Sequence, residues 1–131
     1  MLHNFLSPLS NQRSDAYGSS LEARMKLTLD MVELTRNLLP PHKAVFLRIS
    51  ATDWHPQGEK DGQGNYISWG IEQSKVLVQE AITRGVNLVD VSTGGNDINQ
   101  KITVHPGYQT GFAETIKQSI KSDVRKVSIS T

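Results

Sequence analysis

Apolar and polar positions along the chain change period several times, and each change marks an element. Ahead of Leu39, Glu22, Lys26, Asp30, Glu33 and Asn37 form a polar arc at helical spacing. Leu27, Met31, Leu34 and Leu38 make one apolar line, and Met25, Leu29 and Val32 another. So wide an apolar surface predicts a helix wedged between a sheet and neighbouring helices. Ser19, three residues before Glu22, has the capping-box spacing that starts such a helix, and Pro40-Pro41 stops it.

Residues 44–50 switch to period two. Val45, Leu47 and Ile49 share one strand face; Ala44, Phe46, Arg48 and Ser50 share the other, which is apolar early and polar late. A guanidinium therefore emerges near the carboxyl end of this strand, where α/β folds place their ligands. Residues 51–66, with Gly58, Gly62, Gly64 and Pro56, read as a surface excursion too polar to pack.

A second helix is expected from Trp69 to Arg84, with Val76, Leu77, Val78, Ala81 and Ile82 buried and Gly85 as the left-handed residue after it. A second strand over residues 87–92 puts Val89 and Val91 on one face and Leu88, Asp90 and Ser92 on the other. A loop from Thr93 to Gly107 leads to a third helix carrying Phe112, Ala113, Ile116 and Ile120. Residues 124–130 form a third strand or, because Arg125 and Lys126 suit a buried strand poorly, a frayed tail over 121–131. The alternation of helix and strand predicts an α/β fold with parallel strands and right-handed crossovers.

The 131 residues, 37% of them apolar, suffice for one domain and fall short of the roughly 250 residues of a typical complete (β/α)8 barrel. Fourteen basic side chains against thirteen acidic ones give a net charge of +1, which argues against nucleic acid and membrane surfaces as partners. Absence of cysteine removes disulfides and thiolate metal sites; no run reaches the ~18 apolar residues of a membrane span, and a soluble cytoplasmic chain is the expectation.

Candidate chemistry is sparse. Arg48 either pairs with a neighbouring carboxylate or serves a ligand; its position opposite the valine face favours the ligand. Gly94-Gly95 is either turn chemistry or a backbone approach to an anion. No GxGxxG, P-loop or Gly-x-Ser-x-Gly elbow occurs, and Asp53 with His55 is too small a set for a metal. Trp54, Tyr66, Trp69 and Tyr108 flank loops where half-exposed aromatics pack.

Several motifs, in order, resemble the old yellow enzyme family of NAD(P)H:flavin oxidoreductases, especially its NADPH dehydrogenase branch. The pattern Phe-Leu-Ser-Pro, then Asn-x-Arg-x-Asp-x-Tyr-Gly-Gly-Ser-x-Glu-Asn-Arg, is met by residues 5–8 and 11–24, with Ser19 in place of the second glycine and Ala23 in place of the asparagine. Val-Arg-Ile-Ser is met by residues 47–50, Asp-Val-Ser-Ser-Gly-Gly by 90–95, and Pro-Gly-Tyr-Gln by 106–109.

The resemblance implies a partial TIM (β/α)8 barrel of about three central β/α units, a single incomplete domain over residues 1–131. It also implies FMN at the carboxyl mouth, NAD(P)H as reductant and an activated alkene as substrate. Arg48 would lie beside the isoalloxazine ring, and Ser92 and Gly94 near the cofactor. The family's His pair and donor tyrosine would fall before Met1 and its phosphate clamp beyond Thr131. A truncated or split gene product, or a misplaced start codon, is therefore expected. Such a piece would have no catalytic residues of its own and would be inactive alone, or would self-associate or meet a complementing chain through open sheet edges.

Overall fold

The computed structural model describes residues 2–120 and 128–130. Its elements are α1 (His3–Leu6), α2 (Leu21–Leu38), β1 (Phe46–Ser50), α3 (Ile71–Thr83), β2 (Leu88–Ser92), α4 (Thr110–Ser119) and β3 (Ser128–Ser130). The three strands form one parallel sheet in the order β1-β2-β3, with Arg48 opposite Asp90 and Ser50 opposite Ser92. This is the α/β arrangement expected from the sequence. Of the third strand, residues 128–130 pair with β2, whereas 121–127 and 131 lie outside the described residues.

One sheet face makes the core. Leu47 and Ile49 of β1 and Val89 and Val91 of β2 are buried against Met25, Leu29 and Val32 of α2, Leu77, Val78, Ala81 and Ile82 of α3, and Ala113 and Ile116 of α4. Each of the Val, Leu, Ile and Met side chains among them contributes about 1.5–3 kcal/mol by leaving water. No helix among the described residues is long and apolar enough to cross a membrane.

Several local expectations are corrected. The cap of α2 is Ser20, whose hydroxyl accepts from the Ala23 amide, while Ser19 adopts a left-handed φ of 67°. Of the two apolar lines of α2, the one of Met25, Leu29 and Val32 is buried; Met31, Leu34 and Leu38 of the other are exposed, because α1 and α3 cover a single side of this helix. Val76 is also exposed, and Trp69, expected to be half-exposed and helical, is fully buried before α3 begins. Its indole donates to the Ser50 carbonyl at 3.0 Å, and that long-range bond accounts for its burial.

The residues of the Asn11 to Arg24 motif act as braces. Asn11 donates through one amide nitrogen to the carbonyls of Phe5 and Tyr17. Arg24 is buried, and its guanidinium donates to the Leu6 carbonyl (2.8 Å), the Ser19 carbonyl (2.7 Å) and Gln73 Oε1 (2.6 Å). Burial lowers its pKa, and these oxygens replace the water it loses.

Candidate functional site

The other sheet face is open. Phe46 and Arg48 are exposed, and Ser50, Leu88, Asp90 and Ser92 are half-buried. Parallel register sets Arg48 beside Asp90, and Arg48 Nη1 donates to Asp90 Oδ2 at 2.9 Å. Both readings of this arginine meet here: it pairs with a neighbouring carboxylate, yet its side chain remains 70% exposed. Among the described residues its Nε and Nη2 have no hydrogen-bond acceptor.

Ser92 and Gly94 reach the same end of the sheet as Ser50. The Ser92 hydroxyl accepts from Gln109 Nε2 at 3.4 Å, and the Gly94 carbonyl accepts from the Ser50 hydroxyl at 2.9 Å. Gly94 has φ +76°, and a Cβ there would stand 2.7 Å from Ile102 Cδ1. The amides of Gly94 and Gly95 donate to the Thr52 carbonyl and Gln100 Oε1, so this glycine pair serves loop closure.

Residues 51–66 are not a uniformly exposed excursion. Asp53 is completely buried, and its carboxylate accepts from the Ser7 hydroxyl (2.5 Å) and the Trp69 amide (2.8 Å) and contacts His3 Nε2 at 3.1 Å. Burial pushes this carboxyl up, but the bonds from His3, Ser7 and Trp69 outweigh it and hold the pKa below the ordinary carboxylate value. Asp53 thereby pins α1 to the end of β1. Sequence reasoning missed this because its partners lie 16 to 50 positions away.

A second joint connects the loops after β1 and β2. His55 Nδ1 lies 2.5 Å from Asp97 Oδ2, and the Lys101 amide donates to the Trp54 carbonyl at 3.1 Å. The His55 bond is the main cause holding the Asp97 carboxyl below its ordinary pKa. Trp54 sits at φ 54°, in the left-handed region, with Phe112 edge-on at 5.4 Å and Tyr108 at 6.5 Å.

Parallel strands whose polar side chains gather at their carboxyl ends, under two cross-braced loops, form the arrangement in which α/β folds place a ligand. The profile of the NADH:flavin oxidoreductase / NADH oxidase family matches residues 1–129, and the chain belongs to that family. An NADH:flavin oxidoreductase of Gibberella zeae is 38% identical over 126 residues, 95% of this chain and 30% of that protein. An NADPH dehydrogenase of a Geobacillus species is 38% identical over 120 residues, 90% of this chain and 31% of its own length. The chain thus spans about a third of these curated relatives.

Among solved structures, 2-naphthoyl-CoA reductase superposes with a TM-score of 0.72 at 18% identity, covering 98% of this chain and 18% of that one. Morphinone reductase bound to tetrahydroNAD gives 0.58 at 20% identity, covering 92% and 28%. At these identities the likeness concerns the fold, three parallel β/α units of a TIM barrel of the old yellow enzyme type.

Proposed function

We propose that this chain supplies the central wall of an FMN site in an NAD(P)H-dependent ene-reductase, with Arg48 beside the isoalloxazine ring and Ser92 and Gly94 near the cofactor. The observation that supports this most is the Arg48 guanidinium, held by Asp90 through one nitrogen on the open sheet face with Nε and Nη2 still available. Those donors fit a ring that carries acceptors and gains negative charge on reduction. Of the other two, Ser92 keeps its hydroxyl proton for a ligand, whereas Gly94 already uses its amide and carbonyl within the loops.

Hydride transfer from NAD(P)H to an activated alkene is chemistry that a bound flavin supplies. The chain's own residues bind and orient: Asp90 fixes Arg48, Asp53 locks α1 against β1, and the His55–Asp97 contact joins the loops over the strand ends. The residues assigned here bind and orient the flavin, and little or no turnover is expected of the chain alone. FMN titration of the purified chain, paired with an NADPH oxidation assay, tests this: flavin binding with negligible turnover is expected, and substantial turnover contradicts the inactive reading.

A second reading is a self-associating segment. Phe46, 69% exposed on the open face of an edge strand, favours it. Concentration-dependent assembly unaffected by flavin would support this alternative.

A further inference from the structure

Two opposite charges stand on the open sheet face, and they stand together. Arg48 of β1 and Asp90 of β2 are register partners, whereas Phe46, Ser50, Leu88 and Ser92 on the same face are uncharged. On its other side Asp90 has Ser130 of β3 opposite it, so Arg48 is the cation beside this carboxylate among the described strand residues. A single pair of atoms makes the contact, Arg48 Nη1 and Asp90 Oδ2 at 2.9 Å. Among the described residues Asp90 Oδ1 receives no hydrogen bond.

The carboxylate changes what a ligand on this face feels. A lone guanidinium favours whichever form of a ligand is the more negative, but a carboxylate held against it turns the unit charge into a dipole, whose field falls off faster with distance. The preference for negative charge is thereby weakened. With Asp90 31% and Arg48 70% exposed, water screens the free pair; a planar ring laid against it displaces that water and lets the difference between a pair and a lone cation act.

We propose that Asp90 is a positioning residue that also sets the electron affinity of the bound cofactor: its charge weakens the preference of the Arg48 site for reduced over oxidised FMN. This rests on the reading of Arg48 as the neighbour of the isoalloxazine ring. Hydride from NAD(P)H carries two electrons and one proton to the ring, NAD(P)+ departs, and the ring takes up the negative charge beside the guanidinium. A site that holds this charge less tightly keeps the reduction potential of the flavin down, which favours passing the hydride on to an activated alkene.

The test compares the affinity of the purified chain for oxidised FMN with its affinity, measured anaerobically by calorimetry, for photoreduced FMN. Asp90→Asn keeps an amide oxygen for Arg48 and removes the charge. The ratio of affinities should move about three- to tenfold towards the reduced form, which is about 15–30 mV upward for a two-electron couple. Arg48→Ala leaves the carboxylate unopposed and should move the ratio the other way. Asp30→Asn, which removes a carboxylate paired with Lys26 on α2, should leave it unchanged. A purely structural Asp90 would alter both affinities alike; an unchanged ratio in Asp90→Asn, or one that moves towards the oxidised form, overturns the inference while the flavin reading of Arg48 stands. Oxidised FMN bound equally well by Arg48→Ala, or not bound by the unaltered chain, overturns that reading and the inference with it.

Discussion

Arg48 and Asp90 are register partners on adjacent parallel strands, and their charged groups meet at 2.9 Å on the open face of the sheet. The pair is too exposed to hold the fold together, since contacts of this kind contribute about 0–1 kcal/mol. Asp90→Asn should therefore leave the urea midpoint nearly unchanged. A large loss of stability would mean the pair is structural, and would remove the reason for treating Arg48 as a residue kept for a ligand.

Ser19 offers the opposite kind of test. It replaces the second glycine of its motif and adopts φ 67°, a conformation that costs a side-chain-bearing residue about 1 kcal/mol relative to glycine. Ser19→Gly removes that strain and loses only a 3.3 Å bond to the Arg13 carbonyl. Stability should rise by roughly 0.5–1 kcal/mol; a lower denaturation midpoint would show that the hydroxyl matters more than the backbone. Gly18→Ala should be strongly destabilising, because a Cβ there would lie 2.1 Å from the Arg13 carbonyl oxygen.

The buried guanidinium of Arg24 joins α1, α2 and α3 through Leu6, Ser19 and Gln73. Arg24→Met would strand the Leu6 carbonyl and the Gln73 amide oxygen in the interior. A loss of about 2–4 kcal/mol is expected in chemical denaturation. A loss below about 0.5 kcal/mol would show that water replaces the guanidinium easily.

Asp53 gives the fold an acid limit. Its folded pKa lies below the ordinary, unfolded carboxylate value of about 3.9. Its contribution is therefore present above the unfolded value and lost as pH falls through the folded one. Asp53→Asn should lower stability near neutrality and flatten the decline below about pH 5. An unaltered acid limb in the variant would assign that limb to other carboxylates.

Most of the fold was legible because strand and helix periods are local: Val45, Leu47, Ile49, Val89 and Val91 are buried as alternation requires. The placement of Arg48 on the opposite face followed from the same arithmetic. What escaped is non-local. Asp53 looks like a loop residue and Trp69 like a half-exposed helix start until His3, Ser7 and the Ser50 carbonyl come to them from distant positions. The His55–Asp97 contact spans 42 positions between two irregular segments, which no periodicity can connect. Val76, by contrast, was misassigned because a helix with neighbours on one side buries a narrower stripe than its apolar content suggests.

The cofactor role of Arg48 is tested most directly by FMN affinity, read from flavin fluorescence, for the purified chain and for Arg48→Ala. Saturable binding that weakens about tenfold or more in the variant is the expected result. Equal affinity in the two proteins, or no flavin binding by the unaltered chain, would contradict the placement of the isoalloxazine ring against this guanidinium.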